Sequence, residues 1–363
     1  IEMSRSGNDF TVKICSDSDY QTVLGSGTQT KTGISGLQYL KFVNDSEQNA
    51  SLTASAELFG GLEIINGAST WTWEKEDIRG LFMGGYTSSA SNVIDYITIA
   101  TKGNATPFGD LVVATYDLGA CSSHSRGVYG GGNTGSFTNN MGYVTIATAG
   151  NATDFGNLTV ARGEAVPTAS NRTRGIWAGG WNGSANVSTI DYVTIDTLGD
   201  ASAFGDLSSA RRAHAGSGNS GTRGIFAGGY VSSFVNTIDY VNIDANPTVT
   251  ATTFGTLSSG RGQLTGLSNT TRTLFAGGGS YSDVIDYYAN DTGGAATDFG
   301  NLTASFDQVG TCSSTTRGVM GGGSTGSNSN VIQYVTIATK GNAAPFGDLT
   351  VARGQQCNGA SGK

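Results

Sequence analysis

Charged side chains are scarce in this sequence, in which only 13% of the 363 residues are Asp, Glu, Lys or Arg. The formal net charge is −8, so we expect no basic surface of the kind that binds nucleic acids or anionic lipids. Histidine occurs only at His124 and His214, and no two cysteines form a Cys-x-x-Cys pair. No apolar run reaches about 18 residues, the length of a candidate membrane-spanning helix. The sequence therefore predicts no nucleic-acid partner, no membrane insertion, no metal centre and no cofactor.

Glycine, in contrast, is abundant at 56 residues, and much of it belongs to a unit that is repeated six times. The cleanest copy runs from Arg223 to Leu257 and reads RGIFAGG, a polar loop, TIDYVNI, a second loop and FGTL. Its period of about 48 residues indicates a repeat architecture. The copies open at Arg79, Arg126, Arg174, Arg223, Arg272 and Arg317, and the Phe of FGxL recurs at Phe108, Phe155, Phe204, Phe254, Phe299 and Phe346.

Each repeat has the pattern of short strands. The segment TIDYVTI, from Thr189 to Ile195, alternates β-branched and polar residues, which is typical of a strand. Segments rich in Ser, Asn and Gly separate such runs and predict turns. Four strands in about 48 residues correspond to one blade of a β-propeller, and the six copies predict six blades. The blades are expected at 79–112, 114–159, 161–209, 210–259, 260–303 and 304–350.

The pattern from Arg79 to Lys363 resembles the kelch-type β-propeller. Gly-Gly ends the second strand, Tyr occurs on the third strand, and an aromatic residue opens the fourth. The sequence departs from kelch in having Phe where a kelch blade usually has Trp, and in the additional Arg that opens strand two. The phrases IDYVTIAT and FGDL are also similar to repeats in virion proteins of tailed phages, especially tail fibres. This resemblance implies a location on the virion surface or outside the cell, other fibre subunits as partners, and a homo-oligomer, which in fibre proteins is often a trimer.

Residues 1–77 do not match the repeat and predict a small β-rich N-terminal domain for attachment or oligomerisation. The first repeat lacks an innermost strand, whereas the chain continues after the sixth repeat, so residues 353–363 are expected to complete blade one. The propeller would then span 78–363. Cys121 and Cys312 occupy equivalent positions in innermost strands, where we expect small buried residues rather than disulfide or metal chemistry. The predicted fold is all-β: a six-bladed kelch-like propeller preceded by a small β-rich domain.

Residues found in every blade are expected to serve the fold, and residues that differ between blades are free to serve function. The repeated arginines are thus expected to bind neighbouring acids or carbonyl groups. The loops between second and third strands vary most, and their aromatic rings beside amides and hydroxyls suit carbohydrate. The alternative is that these rings fold back onto the rim. The candidate ligand-binding residues are Trp181, Tyr230, Tyr86, Phe137, Phe234, Tyr281 and Asn182.

These features favour a non-enzymatic recognition or adhesion module, a phage tail fibre or virion surface protein that binds a host-surface glycan or receptor. One alternative is a purely structural virion or filament protein whose propeller packs on neighbouring subunits. A second alternative is an enzyme that acts on polysaccharide through paired carboxylates. The sequence contains no GxSxG, HExxH or phosphate-loop motif, and it predicts no catalytic residue.

Overall fold

The chain divides into two compact units, Ile1–Asp77 and Ile78–Lys363. In the first unit the strands Glu2–Ser6, Asp9–Cys15 and Val23–Thr30 form an antiparallel sheet, and Phe42–Asn44 pairs in parallel with Ile64–Asn66. The attachment role expected for this unit stays a prediction. The computed structural model describes these five strands and residues 78–164, 167–171, 173–217, 222–245, 249–290, 292–355 and 358–361.

The second unit consists of six sheets, each built on four antiparallel strands, which confirms the all-β, six-bladed propeller. Val249–Thr250 and Gly294–Ala295 add a short parallel fifth strand to the sheets of blades three and four. The strands of each blade are given from the innermost to the outermost. Blade one is Asn358–Ser361, Arg79–Met83, Val93–Thr98 and Thr106–Asp110; blade two is Gly119–Ser122, Arg126–Gly130, Asn140–Thr145 and Thr153–Asn157. Blade three is Thr168–Ser170, Arg174–Ala178, Thr189–Thr194 and Ser202–Asp206; blade four is Ala215–Ser217, Arg223–Ala227, Thr237–Asn242 and Thr252–Thr256. Blade five is Thr265–Ser268, Arg272–Ala276, Ser282–Ala289 and Thr297–Phe306; blade six is Gly310–Ser313, Arg317–Gly321, Val331–Thr336 and Ala344–Asp348.

The ring is closed by the C-terminal strand. Asn358–Ser361 pairs antiparallel with Arg79–Met83, so that Gly359 lies opposite Phe82 and Ala360 opposite Leu81. The innermost strands of consecutive blades contact each other all the way round, including blade six with blade one and blade one with blade two. The predicted closure by residues from the C-terminus is therefore confirmed.

The innermost strands approach so closely that they pack backbone against backbone. A Cβ atom on Gly359 would lie 2.0 Å from the carbonyl oxygen of Thr311 in blade six. Small hydroxyl residues join the same strands: Ser361 donates to the carbonyl oxygen of Ser313, and Ser313 donates to that of Ser268. This is why the innermost strands are rich in Gly, Ala, Ser and Thr.

The repeated arginine at the start of each second strand donates hydrogen bonds to the next blade. Nη1 of Arg79 donates to the carbonyl oxygens of Ile146 and Ala147 in blade two, and Arg317 of blade six donates to that of Ile99 in blade one. Each guanidinium also lies 4.4 to 5.0 Å from the ring centre of the third-strand tyrosine in its own blade. Of the two roles expected for these arginines, the structure shows the binding of carbonyl groups. The other four arginines that bind a carbonyl oxygen of the next blade are Arg126, Arg174, Arg223 and Arg272.

The large side chain in the middle of each second strand fills the space between blades. Phe82 of blade one packs with Cys312 and Val319 of blade six, and Trp177 of blade three packs with Cys121 of blade two. Both cysteines are buried, as predicted. The equivalent positions are Phe82, Tyr129, Trp177, Phe226, Phe275 and Met320.

Four blades bury an ion pair between the segment that enters the blade and its third strand. The pairs Arg353–Asp95, Arg162–Asp191, Arg211–Asp239 and Arg261–Asp286 have N–O distances of 2.8 to 3.0 Å. The third-strand aspartates of these blades therefore serve the fold.

The remaining two blades replace both members of the pair. Blade two has Thr115 and Gly142 at these positions, and blade six has Phe306 and Gln333. In blade two the hydroxyl of Tyr129 accepts the hydrogen bond of the Val112 amide, so that this amide keeps a partner without a carboxylate. The arginine and the aspartate are either both present or both absent, so no blade buries an unpaired charge at these positions.

The outermost strand of each blade is covered by a loop of the next blade. The amide of Ala152 donates to the carbonyl oxygen of Asp110, and Oδ1 of Asn151 accepts from the Asp110 amide. The strand is thereby removed as an open edge that could pair with another chain. The glycine of FGxL is required for this contact, because a Cβ atom on Gly109 would lie 2.2 Å from the carbonyl oxygen of Gly150.

We expect Gly109→Ala to lower the free energy of unfolding by about 1–3 kcal/mol, because the new methyl group meets a backbone atom that cannot move away. The matched control is Gly150→Ala on the other side of the same contact, where a Cβ atom meets nothing within 4 Å. This control should stay within about 0.5 kcal/mol of the original chain. Urea unfolding of the three chains measures both effects, and equal midpoints would contradict the close contact.

His214 occupies a leucine position of the core. It is 1% exposed, neither ring nitrogen has a hydrogen-bond partner in the described part of the chain, and the equivalent residues in other blades include Leu118 and Leu264. Burial lowers the pKa of His214 well below its usual value, and Arg211 and Arg162 lower it further. The imidazole is therefore buried in its neutral form.

We expect His214→Leu to raise the free energy of unfolding by about 1–3 kcal/mol at pH 7, since it removes a buried polar group without partners. The gain should grow as the pH falls below about 6.5, because the unfolded imidazole then binds a proton that the folded one cannot hold. Unfolding at pH 7 and pH 5 measures this. The control His124→Gln changes the exposed histidine and should alter neither value by more than about 0.5 kcal/mol.

Candidate functional site

Six residues with positive φ surround the propeller axis on the face that carries the variable loops. Each begins the segment that leads into an innermost strand, and their amides bond from blade to blade: Gln263 donates to Ala213, and Gln308 donates to Gln263. Non-glycine residues seldom adopt this conformation, so the interblade hydrogen bonds are needed to hold it. We call these residues the axial ring: Asp117, Glu164, Ala213, Gln263, Gln308 and Gln355.

The residue that follows Gly-Gly in each variable loop decides whether the space outside the axial ring is filled. Blades one, three and four place a ring there, whereas blades five and six have only Gly and Ser. The loop of blade five is also shorter than that of blade four. Space is therefore left open above blade six. The residues at this position are Tyr86, Asn133, Trp181, Tyr230, Gly279 and Ser324.

This space is a cavity of about 560 Å³ that opens to solvent. It lies between the loops of blades five and one, and the axial ring contributes three glutamines to its wall. We call it the axial cavity. Its lining residues are Tyr86, Thr87, Gln263, Tyr281, Asp307, Gln308, Ser324, Asn328 and Gln355.

Two tyrosines provide the aromatic surface of the axial cavity. Tyr281 is 45% exposed and has a φ of 68°, a conformation that is unusual for a bulky side chain outside a tight turn. Tyr86 lies edge-on to Tyr116, with ring centres 5.2 Å apart. Nδ2 of Asn328 donates to the carbonyl oxygens of Tyr86 and Thr87 at 2.9 and 2.7 Å, which ties the loop of blade one to that of blade six.

Asp307 is the one charged residue among the described residues that line the axial cavity. It is 7% exposed, and its Oδ1 atom has no hydrogen-bond partner in the described residues. Burial raises the pKa of Asp307 to about 6. The buried Oε1 atom of Gln355 likewise has no partner among these residues. The residues that line the cavity thus include buried hydrogen-bond acceptors that the described part of the protein does not satisfy.

Trp181 and Tyr230 lie on another part of the same face, around Arg212. The guanidinium carbon is 4.5 Å from the Trp181 ring centre and 5.1 Å from that of Tyr230, and Nε lies 2.9 Å from Oε2 of Glu164. Both rings are half-buried. Arg212 thus already occupies a side of each ring on which a ligand would stack. Sequence reasoning missed this arginine because it belongs to the segment between blades rather than to a variable loop.

The remaining predicted residues have local contacts on this face. A Cβ atom on Gly163 would lie 2.7 Å from the ring of Phe137, and one on Gly262 would lie 2.8 Å from the ring of Phe234, so both rings rest on the glycine backbone of the following segment. Phe234 is nevertheless 42% exposed. Oδ1 of Asn182 accepts from the amides of Ser184 and Ala185 and so closes its own turn.

Of the seven predicted residues, the structure brings Tyr86 and Tyr281 to one cavity. Sequence reasoning missed Asp307, Ser324 and Asn328. An alignment of the six repeats offers one signal for them: Ser324 stands where three other blades have an aromatic ring. A cavity marked by a missing side chain is less conspicuous in a sequence than an aromatic residue.

No family model matches the chain, and no curated protein matches its sequence. The described residues contain no group of three or more His, Cys, Asp or Glu side chains placed to hold a metal ion. Nor do they contain a helix that is long and apolar enough to cross a membrane. A proposal for function depends on the geometry of the propeller face and on the repeat pattern.

Proposed function

We propose that this protein is a non-enzymatic recognition module that binds a host-surface glycan in the axial cavity. The observation that carries the proposal is the cavity itself, in which two tyrosine rings stand beside amide, hydroxyl and carboxylate groups. A tyrosine ring can cover the apolar face of a sugar, and the polar groups can bind its hydroxyls. The volume is within the range of about 300–1,000 Å³ that is typical of ligand pockets.

The repeat phrases favour a tailed-phage tail fibre or another virion surface protein as the setting. In that setting the chain functions at the virion surface or outside the cell, and its partners are a host-surface glycan or receptor and other fibre subunits, in a homo-oligomer. The acidic composition agrees with an exposed β structure.

The cavity can be tested by filling it. Ser324→Tyr places at this position the side chain that Tyr86 and Tyr230 have in other blades, so the variant is expected to fold. We expect it to abolish binding to a glycan array that includes host-cell surface polysaccharides. Tyr281→Ala removes an exposed ring and should weaken binding about tenfold. Trp181→Ala, away from the cavity, should bind as the original chain does.

Other outcomes would replace the proposal. Loss of binding in Trp181→Ala but not in Ser324→Tyr would move the site to the Arg212 cluster. Absence of binding by the original chain would favour a structural virion or filament protein. Release of soluble sugar during the assay would favour an enzyme that acts on polysaccharide.

A further inference from the structure

The residues that line the axial cavity indicate which class of ligand it accepts. This inference depends on the proposed function and concerns which class of saccharide the cavity accepts. It follows from the charge of the lining residues and from the type of polar atom that lacks a partner.

The unsatisfied polar atoms of the axial cavity are acceptors. Oδ1 of Asp307 and Oε1 of Gln355 are buried and have no hydrogen-bond partner in the described residues. Asn328 uses its Nδ2 group to donate to the loop of blade one. A ligand that satisfies these atoms must donate hydrogen bonds, as the hydroxyl groups of a sugar do.

The charge of the cavity opposes an anion. Among the described residues that line it there is neither lysine nor arginine, and the single charged group is the Asp307 carboxylate. A sugar carboxylate or phosphate in this cavity would lose water, would meet a like charge and would find no cationic partner. The net charge of −8 adds to the repulsion before contact.

We propose that the axial cavity selects neutral saccharides, whose hydroxyl groups donate to Asp307 and Gln355, and rejects saccharides that carry a carboxylate. Asp307 is the specificity-determining residue of this selection. The other titratable side chains among the lining residues are the phenols of Tyr86 and Tyr281.

The pH dependence follows from the same arrangement. The carboxylate accepts hydrogen bonds from the bound sugar, so the ligand favours the ionised form of Asp307. Burial raises the pKa of Asp307 to about 6 in the free protein. The affinity for a neutral saccharide should therefore be full at pH 7.5 and should decrease as the pH falls through about 6.

The test uses the full chain and calorimetric titration with matched probes: oligosaccharides of glucose and galactose, and the corresponding oligosaccharides of glucuronate and galacturonate. We expect the neutral member of at least one pair to bind at least tenfold more tightly than its acidic counterpart at pH 7.5. In Asp307→Asn this preference should disappear, and the affinity should no longer change between pH 7.5 and pH 5. Asp307→Gly is a second variant whose folding is favoured, because Gly163, Gly262 and Gly354 occupy the same position in other blades.

The outcomes separate this inference from the proposed function. If a uronate binds the original chain as tightly as its neutral counterpart, the selection for neutral sugars is wrong while glycan binding stands. If both Asp307 variants keep the preference of the original chain, Asp307 is not its source. If neither these probes nor the glycan array shows binding, the proposed function fails and the inference fails with it.

Discussion

Arg211→Met should lower the free energy of unfolding by about 3–5 kcal/mol, because it leaves the buried carboxylate of Asp239 without its cation. Nη1 of Arg211 lies 2.9 Å from Oδ2 of Asp239, and both side chains are 0% exposed. The guanidinium also donates from Nη2 to the carbonyl oxygen of Phe226. The substitution therefore removes both the cation that pairs with Asp239 and the hydrogen bond to the carbonyl oxygen of Phe226.

The next residue in the chain provides a matched control. Arg212 also forms an ion pair, with Glu164 at 2.9 Å, but these side chains are 27% and 39% exposed. Water stabilises the Glu164 carboxylate that is left without its partner, so Arg212→Met should cost no more than about 1 kcal/mol. Denaturant unfolding of the two variants compares a buried and a half-exposed pair within one segment. Equal losses would contradict the idea that burial decides the effect.

The double variant Arg211→Phe with Asp239→Gln transfers the residues of blade six, Phe306 and Gln333, into blade four. It should be less destabilised than the sum of its two single variants, because it leaves no unpaired charge in the core. If the double variant loses as much free energy of unfolding as the two single variants together, the two residues do not act as a coupled pair.

Removal of residues 356–363 should have an effect of similar or greater size. Blade one loses its innermost strand, and the neighbouring blades lose the bonds that Ser361 makes with Ser122 and Ser313. Ala360 is also lost from the core shared by blades one and two. We expect a loss on the order of 5 kcal/mol, which approaches the whole stability of an ordinary domain.

Thermal unfolding followed by circular dichroism tests this expectation. The truncated chain should melt at a much lower temperature and over a broader range, because the ring is open at blade one. Deletion of only residues 362 and 363 keeps Asn358–Ser361 and should leave the melting curve unchanged. An unchanged curve for the longer deletion would show that the ring does not need its closing strand.

The sequence by itself determined the number of blades, the order of the strands and the closure of the ring. These features depend on local patterns that repeat: the β alternation of TIDYVTI, the Gly-Gly turn and the missing first strand at Arg79. The binding role of the repeated arginines could also be predicted, because a charge present in every blade must have a partner in every blade. The six copies of the repeat make such patterns easy to recognise.

Only the tertiary structure decided which variable residues lie together. Tyr86 and Asn328 are 242 positions apart and meet because the ring closes, and Arg212 reaches Trp181 from a segment that the repeat pattern does not mark. The axial cavity arises where blades five and six lack a ring at the position after Gly-Gly, and the unsatisfied acceptor of Asp307 becomes visible only when its surroundings are known. Such contacts depend on distances between blades, which no local pattern of residues encodes.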